Sequence, residues 1–210
     1  MKGIVIISSQ KTVANEHETL RLLFENGLLT FHLRKPGYKK NQLKEYLDRV
    51  PSKYHNRIVL HSHHDLILKY NLQGIHFNSK NRKKSIKTSW KKYRLRRKKP
   101  SMTFSTSFHK LVNIDVYAGK YDYVFLSPIF DSISKKDYQS GFSKYSLDNA
   151  IKHSKYDVYA LGGIDETKIH EILELGFSGA ALYGHIWTNE NPVQAFIDFK
   201  AAMTAACKVS

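Results

Sequence analysis

The chain has 210 residues, 41% of them apolar, which supports one sizeable α/β core, and no Pro/Gly/Ser linker divides it, so a single domain over 1–210 is expected. Its one cysteine, Cys207, excludes an intramolecular disulfide and points to a reducing, cytoplasmic setting. The net charge of +16 calls for an anionic partner, while the first apolar run, Ile4-Val5-Ile6-Ile7, is far too short for a signal peptide or a membrane span and reads as a buried strand of a soluble protein.

Strands and helices then alternate along the chain. Strand one is Ile4 to Ser8, and helix one runs from about Glu16 to Asn26, with Leu20, Leu23 and Phe24 on one face and Gly27 closing it. Strand two, Leu29 to Arg34, stops at Lys35-Pro36-Gly37, where proline cannot continue a ladder. Helix two covers Lys40 to Val50. Strand three, Ile58 to Leu60, leads into His61-Ser62-His63-His64-Asp65 and a short helix to Tyr70. Strand four is Gly74 to Phe77. From Lys80 to Lys99, 12 of 20 residues are basic and none is acidic, so only a poor fourth helix is expected there.

Strand five is Met102 to Ser105 and helix five Phe108 to Tyr117; strand six is Tyr123 to Leu126, followed by Ser127-Pro128-Ile129-Phe130 and a polar loop from Asp131 to Gly141. Helix six spans Ser146 to His153. Strand seven, Val158 to Leu161, ends at Gly162-Gly163-Ile164, with Asp165 as an N-cap, and strand eight, Gly179 to Tyr183, ends at Gly184. A last helix opens at Asn191-Pro192 with Val193, Phe196 and Ile197 inward. Eight apolar strands, each followed by a helical segment, predict a (β/α)₈ TIM barrel, and the Gly-x-Gly-x-x-Gly turn of the doubly wound alternative is missing after strand one.

Barrel chemistry gathers at the C-terminal ends of the strands. The residues there are anion holders: Arg34, Lys35, hydroxyls, paired lysines and glycine turns. Two adjacent strands ending at glycine offer backbone N–H groups to a phosphate, although glycines also serve plain strand-to-helix turns. His61, His63, His64 and Asp65 match no standard zinc spacing and are expected to hydrogen-bond at the pocket mouth. His109, just after strand five, is placed to move a proton or to cap a helix. The basic segment has thin aromatic interleaving and reads as a solvated outer face, so nucleic acid is not favoured as a partner.

His32-Leu33-Arg34-Lys35-Pro36, Gly74-Ile75-His76-Phe77, Ser107-Phe108-His109, the segment Tyr123 to Asp137 and Ala160-Leu161-Gly162-Gly163-Ile164 together resemble the thiamine phosphate synthase and thiazole tautomerase family. The resemblance implies a synthase that couples thiazole phosphate to hydroxymethylpyrimidine pyrophosphate and releases pyrophosphate. It places Arg34, Lys35, Ser132, Ser134 and Lys135 on the pyrophosphate, Gly162, Gly163 and Gly184 around the thiazole phosphate, and His109 and Lys135 in catalytic roles. Two departures stand out: the family's magnesium aspartates correspond to Ser62 and Asn81, so no metal ligand is assigned and Mg²⁺ belongs only to a chain that keeps synthase activity. A metal-independent thiazole tautomerase and a silent thiazole-phosphate-binding homologue remain alternatives, and a homo-oligomer is left open.

Overall fold

The computed structural model describes residues 3–79, 85–131 and 141–209. Eight strands pair in parallel, in chain order, into a closed barrel: β1 Gly3–Ile7, β2 Thr30–Leu33, β3 Ile58–Leu60, β4 Gly74–Phe77, β5 Thr103–Phe108, β6 Tyr123–Leu126, β7 Val158–Leu161 and β8 Gly179–Leu182. Closure runs through β8 and β1, where Val5 pairs with Ala181 and Ile6 with Leu182. The helices are α1 Glu16–Glu25, α2 Lys40–Asp48, α3 Leu66–Lys69, α4 Ser85–Lys98, α5 Val112–Tyr117, α6 Lys144–Lys152, α7 Ile169–Glu174, α8 Gly184–Trp187 and α9 Pro192–Val209. None of the described helices is long and apolar enough to cross a membrane.

Alternation along each strand divides the core into two shells. Outward-facing Ile6, Phe31, Leu33, Leu60, Ile75, Phe77, Val124 and Leu182 join Leu20, Leu23, Leu43, Leu47 and Phe196 between sheet and helices. Each such side chain contributes about 1.5–3 kcal/mol when fully buried. The inner wall is divided in a different way. Val5, Ile7, Phe125 and Ala181, with Tyr159, Leu161 and Tyr183 against them, fill the side formed by β1 and β6 to β8. On β2 to β5 the interior also carries polar side chains, among them His32, His61, His76 and Ser105.

Three local expectations change. The basic segment forms a full helix of 14 residues, because Lys and Arg are good helix formers and no Gly or Pro intervenes before Pro100. It is fastened by its long side chains: Arg96 pairs with Asp122 and lies over Phe104, Lys92 lies over Tyr121, and Leu95 packs on the core. Strand five runs on to Phe108, which is completely buried, so helix five starts only at Val112. In α9 the buried face is Ala195, Phe196, Phe199 and Ala206, whereas Val193 and Ile197 are half-buried. The caps hold: Asp165 accepts from the Thr167 N–H at 2.9 Å, and Asn191 accepts from the Gln194 N–H at 3.1 Å.

Candidate active site

The C-terminal ends of the strands enclose a cavity of about 450 Å³. It draws Arg34 from β2, His61 from β3, His76 from β4, Ser107 and His109 from β5, Ser127 after β6, and the glycine turns after β7 and β8. Arg34 is placed by its own backbone: its N–H donates to Ser8 Oγ at 2.8 Å, and that hydroxyl donates back to its carbonyl at 3.0 Å. The ends of β1 and β2 are thereby locked together beneath the guanidinium.

His109 lies at the exposed mouth with Nδ1 2.7 Å from the Ser127 carbonyl. A carbonyl only accepts, so Nδ1 carries the hydrogen and neutral His109 keeps its lone pair on Nε2. That tautomer is the one a proton acceptor needs.

Beneath the mouth the imidazoles form a connected group. His32 Nδ1 is 3.0 Å from His61 Nε2, and its Nε2 is 2.6 Å from the Tyr123 hydroxyl. His76 stacks on His61 with centroids 4.2 Å apart and holds Ser105 Oγ at 2.9 Å and Ser107 Oγ at 3.0 Å. Burial, then the neighbouring His76, holds His32 well below its ordinary pKa; burial, His76 and His32 do the same to His61. Both rings are therefore neutral, since a second positive charge in this enclosure has no solvent to stabilise it.

The other expected residues are placed less simply. Lys35 is buried away from the cavity, 2.5 Å from Glu16, which also accepts from Tyr46 at 3.0 Å. The resemblance implies it on the pyrophosphate, but beyond the end of β2 at Leu33 its side chain enters the packing against α1 and meets Glu16. Of the three clustered histidines only His61 faces inward. His63 Nε2 meets the Tyr38 carbonyl at 2.9 Å, and His64 turns to Lys91 at 3.1 Å, where burial and that ammonium lower its pKa to about 4. Ser132, Ser134, Lys135 and Asn81 lie outside the described residues.

Gly162 and Gly163 line the cavity with φ of +101° and +65°, a region that L side chains rarely adopt. They also carry the loop after β6: the Ile129 N–H donates to Leu161 and the Phe130 N–H to Gly162, both at 3.1 Å. A Cβ on Gly163 would lie 2.1 Å from the Asp131 carbonyl oxygen, and one on Gly162 would lie 3.0 Å from Pro128 Cα. The pair is glycine because that loop crosses directly over it. Gly184 lines the same cavity from the start of α8.

The magnesium implied by the resemblance requires oxygen ligands. Among the described residues no Asp or Glu lines the cavity; the donors there are imidazole nitrogens, hydroxyls and the neutral amides of Gln10 and Asn78, with no anionic oxygen to balance the ion's charge. These residues do not fit Mg²⁺.

Sequence reasoning missed Tyr123, Ser105, Phe125 and Tyr183 as parts of the site. The signal was available in the period of two: His76, Ser105, Ser107 and Tyr123 fall on the interior-facing register of β4 to β6.

The sequence profile described as thiamine monophosphate synthase matches residues 4–186. The thiamine-phosphate synthase of Leuconostoc citreum is 26% identical over 191 residues, 86% of this chain and 86% of the relative. That of Dictyoglomus turgidum is 41% identical over 70 residues, 33% of this chain and 31% of the relative. Among solved structures, thiamine phosphate pyrophosphorylase from Bacteroides thetaiotaomicron superimposes with a TM-score of 0.75 at 29% identity, covering 100% of this chain and 99% of that one.

Proposed function

Because the chain belongs to the thiamine monophosphate synthase family, we propose that its cavity couples a thiazole phosphate to hydroxymethylpyrimidine pyrophosphate. The observation that carries this reading is the convergence of Arg34, His109 and the Gly162, Gly163 and Gly184 turns on one cavity at the strand ends. The thiazole phosphate is assigned to the glycine turns and the pyrophosphate to Arg34, with Ser132, Ser134 and Lys135 contributed by the segment after β6. Departure of pyrophosphate leaves an electron-poor pyrimidine methylene, so the barrier falls as its growing negative charge is held by fixed cations and N–H dipoles. The apolar side of the wall, Phe125, Leu161 and Ile164, excludes water from that carbon. No step is assigned to a magnesium ion.

A second reading, tautomerisation of a thiazole carboxylate phosphate, is favoured by His109. Its ring is anchored at Nδ1, which leaves Nε2 for the proton, and proton transfer asks only for that group beside a bound phosphate. One experiment separates the readings: the protein is incubated with the pyrimidine pyrophosphate and the thiazole phosphate, with and without Mg²⁺ and with chelator, and thiamine phosphate is measured. Its formation supports the coupling reaction. If none forms but the thiazole carboxylate phosphate is isomerised, the second reading holds; if the thiazole phosphate only binds, the chain is a silent homologue.

A further inference from the structure

The three interior histidines come from adjacent strands, and the register explains their meeting. Leu60 pairs with Ile75, so His61 and His76 stand level on the inner wall, and His32, level with Val59, lies diagonally below and reaches up to His61. One nitrogen from each lies within 4.8 Å of the others. Imidazole–metal distances of about 2.0–2.1 Å set two ligand nitrogens of one ion roughly 3.0–3.4 Å apart. His32 Nδ1 and His61 Nε2, at 3.0 Å, already have that separation. The third nitrogen, on His76, lies within 4.8 Å of both.

We propose that His32, His61 and His76 form a binding site for a divalent ion of the zinc class, with its remaining coordination position open to the cavity. Three features beyond proximity support the site. First, on two of the three histidines the nitrogen that would not bind metal has a partner: His32 Nε2 has the Tyr123 hydroxyl at 2.6 Å, and each His76 nitrogen has a serine hydroxyl, so either can coordinate while the other is held. Such outer contacts fix the tautomer and orientation of metal-binding histidines. A hydroxyl gives or takes a hydrogen, so His32 can place its proton on Nε2 and present Nδ1 to the ion.

Second, the donor set is selective. Three imidazoles, with no carboxylate beside them among the described residues, suit Zn²⁺, Co²⁺ or Ni²⁺ and do not suit Mg²⁺ or Ca²⁺. Third, access is one-sided. His61 and His76 line the cavity, whereas His32 is fully buried and covered by Tyr123, which packs on Tyr159. Three protein ligands and an exchangeable fourth position make a catalytic type of zinc site, whose open position takes water or an anionic oxygen of a phosphorylated ligand. The inference does not depend on the coupling reaction.

The test uses the full chain, stripped with chelator, freed of any histidine tag and titrated with Co²⁺. The expected result is one equivalent bound, with the intense visible bands of a nitrogen-ligated, four-coordinate ion, displaced by Zn²⁺ and unaffected by excess Mg²⁺. His76→Gln and His32→Gln should abolish the bands, His63→Gln should leave them, and Tyr123→Phe should weaken binding by about 10–100-fold. If His32→Gln fails to fold by circular dichroism, His61→Gln, the least buried of the three, replaces it. No bands, or stoichiometric binding that survives the His76 and His61 substitutions, overturns the proposal. Bands lost equally in His63→Gln would place the ion on the loop and overturn it as well.

Discussion

Lys35 and Glu16 meet inside the shell between the barrel and α1, an ion pair whose two side chains are only 1% and 7% exposed. With Tyr46 donating to the second carboxylate oxygen, the charges are matched and hydrogen-bonded. Glu16→Ala would leave a buried ammonium without a counter-charge and is expected to cost about 3–5 kcal/mol. Lys35→Met with Glu16→Gln should cost much less. Urea denaturation measures both. Because Lys35 faces away from the cavity, the stable double variant should keep its affinity for pyrophosphate, and a large loss would mean that the lysine reaches the ligand.

His109→Gln preserves a hydrogen bond to Ser127 but removes the basic nitrogen. If the residue moves a proton, kcat should fall by about 10²–10⁴ while KM changes little. Unaltered turnover in both reactions named above would remove His109 from the chemistry.

Gly163→Ala should displace Phe130 and Asp131, because its methyl group would overlap the Asp131 carbonyl. The positive φ adds strain, so a loss of about 1–3 kcal/mol is expected. Gly162→Ala meets Pro128 at a looser 3.0 Å and should cost less. Thermal denaturation gives the order; calorimetry with thiazole phosphate reports whether the displaced loop also weakens binding. Equal stability of both variants and the parent protein would show that the loop does not depend on this contact.

Acid should destabilise the protein through its buried histidines. His32, His61 and His64 are neutral when folded, with His64 lowered to about 4 against an ordinary value of 6.5. The unfolded chain therefore binds more protons below pH 6.5, and stability, fully present above that pH, falls as pH drops toward the folded values. Each histidine contributes a slope of up to about 1.4 kcal/mol per pH unit within that window. Denaturation midpoints between pH 7 and about pH 4 should show it. His64→Gln should flatten the curve, and a parent curve without slope would contradict the neutral assignment.

On α4 and just past its end the basic side chains divide into two sets. Lys99 donates to the carbonyls of Asn71 at 2.9 Å and Leu72 at 2.8 Å, and Arg96 pairs with Asp122; Arg97 and Lys98 are exposed. Lys99→Ala is expected to lower Tm, whereas Arg97→Gln with Lys98→Gln should leave both Tm and the cavity reaction unchanged. Retention of a random oligonucleotide that falls steeply with salt and is lost in the second variant would instead mark this face as a nucleic-acid surface.

The barrel was legible because its apolar strands and their glycine and proline stops report local physics. Gly27, Asp165 and Asn191 stand where the pattern predicts an end or a cap. What the sequence concealed is non-local. Nothing near Lys35 announces Glu16, 19 residues away. In His61-Ser62-His63-His64, only the first position after β3 continues the inward register, so identical residue types receive different surroundings. The basic helix was underestimated because its anchors are long polar side chains, which a hydrophobic pattern does not register.

The inner hydrocarbon of β1 and β6 to β8 lies at the β8–β1 pairing that closes the cylinder, and the polar interior residues of β2 to β5 lie away from that seam. The cavity therefore presents hydrocarbon along one edge and imidazole along the other, a wall that would match a flat ring having one apolar and one hydrogen-bonding edge.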